Sequence, residues 1–508
     1  MSAWIKSQLV VCAALLLLPH VGTAAPGNLD TSFGIGGRGF ADVVGADSAQ
    51  ARAVAMQIDG KIVVAGNCVV AATVSLQMCA IRVMPNGFFD TGFGTSGTKL
   101  INVGTTGAVE VVNAMAIQPD GKIVLAGACG PETSPTEICL ARLQGDGSLD
   151  PGFGLSGKAR ISFPGTGEQE ARAVTILPSG KILLGGRCAA NNPLDAGVCV
   201  VRLNSDGTLD TSFASSGRII AASGLKERLT DLLVRPDGRI VIATEPQRLV
   251  LPGPSPYFVY VVQFTPTGTL DDTFNGGVYT RLDESGDRTV PRLALQPDGK
   301  LIVATIISNF QKGFRLNTDG TADDTYNYPN FPFGGLPTIR GEFGLKPLVQ
   351  TDGKTIYVTS TTPGSLSGAP PEGTLDFAVF RSLDIGGFDP TFSRGTTTML
   401  AASDRANDAT LQADGKLIVV GACDTGTKFQ MCVARFEAAS SAARNCTMDI
   451  DGDGRVLPTT DALILTRAAL GMSGPSVLNG ILTSGTRNTW PLIRDYLVSQ
   501  CGMTSLAP

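Results

Sequence analysis

The 508-residue sequence predicts an all-β protein, a seven-bladed β-propeller of four-stranded antiparallel blades, followed by a small α-helical module with a calcium loop. Three observations predict this architecture. A turn made of an acidic or small residue, Gly and a basic residue recurs seven times, the phrase Leu-Asp-x-x-Phe recurs about seven times, and an Asp-x-Asp-x-Asp-Gly run follows the last repeat. A spacing of 54 to 62 residues between successive turns is typical of a repeat architecture.

Each turn joins two short strands in which apolar residues alternate with a period of two. Pro-Asp-Gly is a turn sequence because Pro restricts φ at the corner and Gly accepts a positive φ. A third strand carrying Arg follows about ten residues later, and a fourth precedes the next turn, which together make one propeller blade. The turns are Asp59-Gly60-Lys61, Asp120-Gly121-Lys122, Ser179-Gly180-Lys181, Asp237-Gly238-Arg239, Asp298-Gly299-Lys300, Asp352-Gly353-Lys354 and Asp414-Gly415-Lys416.

The series of Leu-Asp-x-x-Phe phrases is displaced along the sequence by one element relative to the series of turns. The first phrase precedes the first hairpin, and none follows the last hairpin. We therefore expect the N-terminal segment to complete the blade begun by the C-terminal one, which closes the ring and removes exposed sheet edges. The phrases place their acid at Asp30, Asp90, Asp150, Asp210, Asp271 (or Asp272), Asp324 and Asp389.

The combination of Pro-Asp-Gly-Lys-Ile with Arg-Leu-x-x-Asp-Gly-x-Leu-Asp-x-x-Phe-Gly resembles the bacterial delta-60 repeat, which is assigned to secreted β-propeller-like proteins. The resemblance covers roughly residues 27 to 437 and implies a fold rather than an activity. Repeats four to six depart from the pattern, since Gln263 replaces the strand Arg and Tyr326 replaces the Phe.

Four regions are expected: a signal peptide at residues 1–24, the propeller at 25–437, a linker at 438–445 and the C-terminal module at 446–508. Lys6, the apolar run from Leu9 to Leu18 and the small residues that follow are typical of a secretory signal. Ten apolar residues are too few to span a bilayer, so we expect a secreted, periplasmic or cell-surface protein without a membrane span. The net charge of −5 and the lack of a basic run argue against a nucleic-acid partner.

Of the 11 cysteines, Cys12 lies in the predicted signal peptide, which leaves an even number. Repeats one, two, three and seven carry a close pair, and the other repeats lack both members, as disulfide bonds predict. Neighbouring antiparallel strands lie within disulfide reach. Metal binding is the alternative, but two thiolates per repeat are too few for a zinc site. The predicted bonds join Cys68 with Cys79, Cys129 with Cys139, Cys188 with Cys199, Cys423 with Cys432, and Cys446 with Cys501.

The only histidine, His20, lies in the predicted signal peptide. The exported chain therefore cannot use Ser-His-Asp or Cys-His nucleophiles, histidine-ligated metals or imidazole acid-base catalysis. Paired carboxylates, as in glycoside hydrolysis, remain available. We expect the recurrent strand arginines to pair with a repeat Asp or with backbone carbonyls. The acids outside the repeat pattern are expected to be solvated loop charges: Glu110, Glu168, Glu170, Glu227, Asp283 and Glu284.

The loops differ between the two faces of the predicted ring. The Asp-Gly turns share one face and barely vary in length, whereas connections on the other face vary widely, as in the loops from Glu245 to Tyr257 and from Thr361 to Asp376. Binding sites on rigid scaffolds usually occupy variable loops. A protein or glycan ligand is therefore expected on the variable-loop face, with neutral insertions as the alternative.

The C-terminal module begins with an acidic loop. Asp449, Asp451 and Asp453 occupy positions 1, 3 and 5, and the carbonyl of Arg455 occupies position 7. Calcium prefers such a set of oxygen ligands. The run resembles one half of a dockerin or EF-hand-like loop, although its closing acid, Asp461, comes one residue late. An ordinary Asp-Gly turn before a helix is the alternative, and a cohesin-like partner is a further expectation.

Two functions are compatible with these features. The leading hypothesis is an exported, non-enzymatic propeller that serves as a binding or surface-interaction scaffold, with a calcium-stabilised C-terminal module. The alternative is a secreted polysaccharide-acting enzyme, a carboxylate-based glycoside hydrolase or lyase with a dockerin-like docking end.

Overall fold

The computed structural model describes residues 25–438 and 449–499. Within these ranges it leaves out residues 74, 105–108, 132–135, 164–167, 189–196, 222–226, 247–257, 284–289, 308–309, 327–345, 362–374, 394, 401–402, 454, 456, 458, 470–471, 473–474, 482 and 484–485. The predicted signal peptide, most of both long variable loops, and Cys446 and Cys501 lie outside the described residues.

The described chain is mostly β-structure, as predicted, and its α-helices lie in the C-terminal module, while two 3-10 helices, Ala71–Thr73 and Asn275–Gly277, lie in the repeat region. Its strands are β1 (Arg38–Ala41), β2 (Ser48–Met56), β3 (Ile62–Val70), β4 (Ser75–Val83), β5 (Thr98–Ile101), β6 (Val109–Ile117), β7 (Ile123–Gly130), β8 (Glu137–Leu143), β9 (Lys158–Ile161), β10 (Glu170–Ile176), β11 (Ile182–Cys188), β12 (Gly197–Leu203), β13 (Arg218–Ala221), β14 (Glu227–Val234), β15 (Ile240–Pro246), β16 (Phe258–Phe264), β17 (Thr280–Asp283), β18 (Arg292–Leu295), β19 (Leu301–Ile307), β20 (Phe310–Leu316), β21 (Lys346–Val349), β22 (Thr355–Thr361), β23 (Asp376–Ser382), β24 (Gly395–Thr397), β25 (Asp404–Leu411), β26 (Leu417–Asp424) and β27 (Phe429–Phe436).

The strands pair mainly with their sequence neighbours to form antiparallel sheets. Strands β10 to β13, β14 to β17 and β21 to β24 form four-stranded sheets, and β18 to β20 form a three-stranded sheet. Strands β2 to β9 form one eight-stranded sheet whose two halves meet at a single parallel pair, Leu76 with Val109. The fourth strand expected after β20 falls on residues outside the described part.

The N-terminal strand joins the sheet of the last repeat. β1 pairs antiparallel with β27, from Arg38 opposite Ala434 to Ala41 opposite Met431. The resulting sheet has the order β1-β27-β26-β25. The N-terminal segment therefore supplies a strand to the C-terminal repeat, as the displaced phrases predict.

Glycine takes a positive φ in all seven hairpin turns, between +79° and +86°. This confirms the turn chemistry expected from the sequence, because a residue with a Cβ rarely adopts this conformation. In the first turn, Oδ1 of Asp59 accepts a hydrogen bond from the Lys61 amide at 3.1 Å. The turn acid thus stabilises the turn locally.

The four disulfides predicted in the repeats all form. Their Cα–Cα distances are 5.7 to 6.0 Å, and each joins the returning hairpin strand to the Arg-bearing strand. The partners are offset rather than directly opposite: Cys139 faces Gly127, two residues before Cys129. A Gly facing the second Cys occurs in all four of these repeats.

Apolar cores fill the space between successive repeats. Val64 and Ile81 of the first repeat are buried in one cluster with Ile418 and Val433 of the last repeat. The hydrophobic contact therefore extends from the end of the repeat region back to its beginning.

The C-terminal module contains helices α1 (Asp461–Ala469), α2 (Pro475–Leu478) and α3 (Trp490–Ser499). Its core buries Ile450 of the acidic loop with Ile464 of α1 and with Ile493 and Leu497 of α3. Leu492 is 47% exposed although Ile493 is buried, because consecutive residues of a helix point in different directions. Among the described residues, no helix has the length and hydropathy needed to cross a membrane.

Candidate functional site

The carboxylates of the acidic loop converge in space. One oxygen from each of Asp449, Asp451 and Asp453 lies within 4.8 Å of the other two. Asp451 is fully buried, whereas Asp449 and Asp453 are half-buried. Three carboxylates at this separation form a strongly negative oxygen cluster, which is the donor set that a hard divalent cation prefers.

Backbone amides hold these carboxylates in place. Oδ1 of Asp449 accepts hydrogen bonds from the amides of Gly452 at 2.8 Å and Asp453 at 3.0 Å. Gly452 has φ of +74°, and a Cβ added there would lie 2.5 Å from Oγ1 of Thr486. The loop therefore needs a glycine at this corner for both conformation and space.

Asp461 contacts the loop backbone instead of joining the three-carboxylate cluster. Its Oδ1 accepts from the amides of Ile450 at 2.5 Å and Asp451 at 3.1 Å, and its Oδ2 accepts from the Leu457 amide at 2.8 Å. Burial by itself would raise the pKa of Asp461, but these amide hydrogen bonds outweigh it and lower the pKa. Asp461 thus fastens both ends of the loop to the start of α1.

Arg487 is a part of this site that the sequence motif does not reveal. Its Nη2 donates to the carbonyl of Asp449 at 2.6 Å and its Nε to the carbonyl of Ile450 at 2.9 Å. Its guanidinium carbon lies 3.9 Å from the centroid of the Tyr496 ring. The arginine therefore ties the acidic loop to α3 across 38 residues, a distance that a local motif cannot reveal.

The recurrent strand arginines bind the phrase acids, as predicted. In each case Nε of the arginine donates to Oδ2 of the aspartate, and the guanidinium lies over an aromatic ring at 4.4 to 4.8 Å from its centroid. The pairs, at 2.6 to 2.9 Å, are Arg82 with Asp90, Arg142 with Asp150, Arg202 with Asp210, Arg315 with Asp323, Arg381 with Asp389 and Arg435 with Asp30.

Each phrase acid also forms an ion pair with the Lys or Arg of a hairpin turn, with N–O distances of 2.5 to 3.4 Å. For Asp30, burial alone would raise the pKa, but hydrogen bonds from Lys416 and Ser32 and the charge of Arg435 lower it to about 2. The phrase acids are therefore ionised at neutral pH, and their carboxylates are held in these structural ion pairs.

The same arginines reach the following repeat through a backbone carbonyl. Nη1 of Arg202 donates to the carbonyl of Pro266 at 3.1 Å, and Nη1 of Arg315 donates to that of Asp384 at 2.6 Å. In the last repeat, Nη1 of Arg435 donates to the carbonyl of Pro85 in the first repeat at 2.7 Å. One arginine side chain thus joins its own strand, the Leu-Asp-x-x-Phe phrase and the next repeat.

The structure corrects the acid expected in the sixth phrase and decides between the two acids proposed for the fifth. The acid in the sixth phrase is Asp323, which binds Arg315, and not Asp324, because the aromatic Tyr326 follows Asp323 at the required spacing. In the fifth phrase Asp271 rather than Asp272 is the partner, and Gln263 donates to it at 2.7 Å. Arg235 takes the place over the ring, 6.0 Å from the centroid of Phe274.

The acids expected to be solvated loop charges behave differently from one another. Glu110 is fully buried, and its carboxylate accepts hydrogen bonds from the amides of Val103 and Gly104, so the expectation was wrong for this residue. Glu170 lies in β10, mostly buried, and pairs with Arg172 at 2.7 Å, which also contradicts it. The side chain of Glu168 is 72% exposed and reaches Arg187 at 3.0 Å. The side chains of Glu227, Asp283 and Glu284 lie outside the described residues.

In repeats two, three and seven, the buried polar residue ten positions before the first residue of the hairpin turn has the same role. Asp404 accepts from the amides of Met399 and Leu400 at 2.8 Å, and Gln169 accepts from the Phe163 amide at 2.9 Å, as Glu110 does for Val103. Burial, with a smaller contribution from the charge of Asp376, raises the pKa of Asp404 to about 6. Burial also raises the pKa of Asp376, which is 3% exposed.

A cavity of about 510 Å³ lies on the turn face of repeats four to six. It is lined by the ends of β14, β18 and β21 and by the turns that follow them, including Arg235, Gln296 and Gln350. The hairpin turns that line this cavity precede β15, β19 and β22, whereas the sequence favoured the connections that follow the far ends of β15 and β22.

Comparison with known proteins supports the fold. Residues 57–93, 118–153 and 177–213 match the family described as "Domain of unknown function (DUF5122) beta-propeller". Each matched stretch runs from the hairpin turn to the aromatic residue under the strand arginine, which are Phe93, Phe153 and Phe213. A comparison with curated proteins finds no match.

Several solved structures are similar at low identity. A puromycin hydrolase mutant in complex with PGG is 15% identical with a TM-score of 0.43, and the alignment covers 79% of this chain and 53% of the hydrolase. This chain therefore spans about half the length of that enzyme. The β-propeller domain of the Trilobed protease from Pyrococcus furiosus is 11% identical with a TM-score of 0.39, covering 78% of this chain and 97% of the domain.

A polysaccharide lyase of family PL25, an ulvan lyase, is 12% identical with a TM-score of 0.41, covering 82% of this chain and 96% of the lyase. Similarity at this level carries no argument about activity. Taken with the antiparallel sheets, the family match shows that the repeat region has a β-propeller fold.

Proposed function

We propose that this chain is an exported, non-enzymatic β-propeller of seven four-stranded blades that acts as a binding or surface-interaction scaffold, and that calcium stabilises its C-terminal module. The observation that carries the scaffold role is the repeated combination of a buried ion pair within a repeat and a hydrogen bond from the same arginine to the next repeat. Each strand arginine forms an ion pair with an aspartate, lies over an aromatic ring and donates a hydrogen bond to a carbonyl of the next repeat. These contacts make a rigid frame.

The seven-bladed ring is supported by contacts between the first and last repeats. Besides the β1–β27 pairing, the Val54 amide donates to Oδ2 of Asp408 at 2.9 Å, and Nδ2 of Asn407 donates to the Ala51 carbonyl at 2.6 Å. On this proposal the eight-stranded sheet is two adjacent blades, and the repeats are delta-60 repeats. A crystal structure with six or eight sectors, or with an open seam between β2 and β25, would contradict it.

Calcium binding by the acidic loop is supported by the donor set. Asp449, Asp451 and Asp453 would supply carboxylate oxygens, the carbonyl of Arg455 would supply a fourth ligand, and Asp461 would hold the loop closed through its backbone. When bound, the ion neutralises the mutual repulsion of three carboxylates, one of which is fully buried. This arrangement favours folding of the module around the ion.

Isothermal titration of the full exported chain with Ca²⁺ tests this proposal. We expect one site per chain and its loss in Asp451→Asn. The matched control is Asp59→Asn, because Asp59 is a half-exposed turn acid with a similar hydrogen bond to the amide two residues later. Absence of heat in the unaltered chain, or equal binding by Asp451→Asn, would reject the calcium site.

The scaffold is proposed to bind a protein or glycan ligand through the variable-loop face, with a cohesin-like partner for the C-terminal module as a further proposal. A glycan panel and a cohesin domain, each tested for binding by the full chain, address these in turn. Deletion within residues 247–257 or 362–374 should weaken binding of any ligand found. Unchanged binding by both deletions would contradict the assignment to that face.

A second candidate function, carboxylate-based cleavage of a polysaccharide, is favoured by one observation. Asp376 and Asp404 are buried next to one another at the starts of β23 and β25, and the pKa of Asp404 is raised to about 6, in the range that suits a general acid. The equivalent roles of Glu110 and Gln169 favour a structural purpose instead. Turnover of any glycan by the unaltered chain, lost in Asp404→Asn and Asp376→Asn, would establish the enzyme; turnover unaffected by both would exclude these residues.

A further inference from the structure

Two consecutive residues, Thr486 and Arg487, donate hydrogen bonds to four successive carbonyls of the acidic loop. The amide of Arg487 donates to the Asp451 carbonyl at 2.8 Å, and the amide of Thr486 donates to the Gly452 carbonyl at 3.3 Å. The Arg487 side chain donates to the two preceding carbonyls of the loop, at 2.6 and 2.9 Å. This pair of residues, which we call the clamp, therefore holds the loop backbone from residue 449 to residue 452.

The clamp also contacts α3. The guanidinium carbon of Arg487 lies 3.9 Å from the centroid of the Tyr496 ring, within the range of a cation–π interaction. Tyr496 and Trp490 both belong to α3, and both pack against the buried core of the C-terminal module. The Arg487 side chain thus connects the loop carbonyls with the helix.

A second connection between the loop and α3 runs through Ile450, which lies between two of the loop acids. The Ile450 side chain is fully buried with Ile493 and Leu497 of α3. Its neighbours Asp449 and Asp451 supply oxygens to the three-carboxylate cluster. Opening of the loop removes Ile450 from the core and breaks the four clamp hydrogen bonds. We therefore expect the acidic loop and α3 to open together.

We propose that the clamp couples calcium occupancy of the acidic loop to the docking of α3, so that calcium holds α3 against the module core and calcium removal releases the helix. This inference rests on the proposed calcium site. Without the ion, three carboxylates within 4.8 Å of one another repel and favour an open loop. The bound ion closes the loop, and the clamp and Ile450 transmit that closure to α3. Calcium thereby controls whether the apolar side chains of Ile493 and Leu497 are covered.

Hydrogen exchange of the full exported chain, with and without Ca²⁺, tests this coupling. An opening that releases the ion becomes about 100-fold rarer when free Ca²⁺ is roughly 100 times its Kd. We therefore expect calcium to slow exchange of the α3 amides by up to about 100-fold, together with the loop amides of Gly452 and Asp453. Trp490 is the single tryptophan outside the predicted signal peptide, so its fluorescence provides a second readout at α3.

Arg487→Gln should uncouple the helix from the loop. The glutamine loses the contact with Tyr496 and cannot reach both loop carbonyls, so α3 can open while the ion stays bound. We expect calcium to slow α3 exchange by less than about tenfold in this variant, whereas the loop amides remain slowed by about 100-fold. The calcium-dependent change in Trp490 fluorescence should shrink in parallel.

Arg467→Gln is the matched control. Arg467 also donates to two carbonyls of the module, those of Val477 at 2.9 Å and Asn479 at 2.7 Å, and neither belongs to the acidic loop. Arg467→Gln should therefore keep the full calcium-dependent slowing of α3. Equal slowing of α3 in Arg487→Gln and Arg467→Gln would overturn the proposal.

Tyr496→Leu is a milder variant that tests the coupling even if Arg487→Gln does not fold. It keeps an apolar side chain at the core and leaves the clamp hydrogen bonds in place, so we expect slowing between that of the unaltered chain and that of Arg487→Gln. Slowing equal to that of the unaltered chain would contradict the role of the ring. Calcium binding by calorimetry without any slowing of α3 in the unaltered chain would overturn the coupling and leave the calcium site standing. Absence of calcium heat would reject the calcium site itself, and the coupling with it.

Discussion

Arg435 and Asp30 form a buried ion pair across 405 residues of sequence, with Nε of the arginine 2.7 Å from Oδ2 of the aspartate. The equivalent pair in repeat two, Arg142 with Asp150, spans only eight residues. The same chemistry therefore serves two purposes. In the inner repeats the ion pair joins a strand to the Leu-Asp-x-x-Phe phrase that follows it. Between the two ends of the repeat region, it fastens the N-terminal segment to the last repeat.

We expect Arg435→Gln to release the N-terminal segment selectively. Removing one partner of a buried ion pair typically costs about 3 to 5 kcal/mol, although the glutamine can retain one hydrogen bond, as Gln263 does with Asp271. Hydrogen exchange should show lost protection of β1 and of residues 28–33. Arg142→Gln is the control and should affect only its own repeat. Equal protection of β1 in both variants would contradict this role for Arg435.

The glycine that faces the second cysteine is expected to be essential for packing. A Cβ added at Gly127 would lie 1.9 Å from the carbonyl oxygen of Val111, where β6 has a bulge. Gly127→Ala should therefore lower the free energy of unfolding by about 1 to 3 kcal/mol, since the strand must move to relieve the overlap. Gly145→Ala is the control, because a Cβ there would meet no atom within 4 Å. Chemical denaturation of both variants measures the difference, and equal stability would refute the steric argument.

The repeat disulfides are expected to stabilise individual repeats. Replacing Cys129 and Cys139 together by serine opens a loop of ten residues and should cost about 2 to 3 kcal/mol. The effect should be reproduced by Cys188 and Cys199, which close a loop of similar length. Denaturation of the two double variants with and without reductant provides the measurement. If reductant destabilised the variants and the unaltered chain equally, the predicted contribution of this bond would be wrong.

Asp404 should make stability depend on pH in a defined direction. Its pKa is about 6 in the folded protein, against 3.8 for an ordinary aspartate. Between these values the folded chain keeps a proton that the unfolded chain releases, so the free energy of unfolding contributed by Asp404 falls as the pH rises from about 4 to about 6. Asp404→Asn keeps an acceptor for the Met399 and Leu400 amides and cannot ionise.

The asparagine variant should therefore be more stable than the unaltered chain at pH 7, by about 1 to 3 kcal/mol, and the difference should shrink towards pH 4. Gln169 already provides a neutral side chain for the same purpose in repeat three. Asp414→Asn, in a partly exposed hairpin turn, is the control for replacing an aspartate by asparagine. A destabilised Asp404→Asn protein at pH 7 would mean that the ionised carboxylate is the stabilising form.

Local chemistry explains why the hairpins, the cysteine pairs and the arginine–aspartate pairs could be predicted. Apart from the Arg435–Asp30 pair at the seam, each depends on residues within about a dozen positions, so a periodic sequence exposes it. The acid of the sixth phrase was misassigned because two adjacent aspartates, Asp323 and Asp324, both satisfy a loose pattern. The burial of Glu110 was missed because a single acid outside the repeat carries no signal of the amides that surround it.

The sequence by itself determined the repeat, the turn conformations, the mostly-β fold and the positions of the three loop carboxylates, because these follow from spacing and from residue chemistry along one segment. Only the tertiary structure decided that Arg487 closes the acidic loop, that Asp461 binds the loop backbone and that Arg235 and Gln296 line one cavity. Those relationships join segments far apart in sequence, and they are set by how sheets and helices pack, which no local pattern encodes.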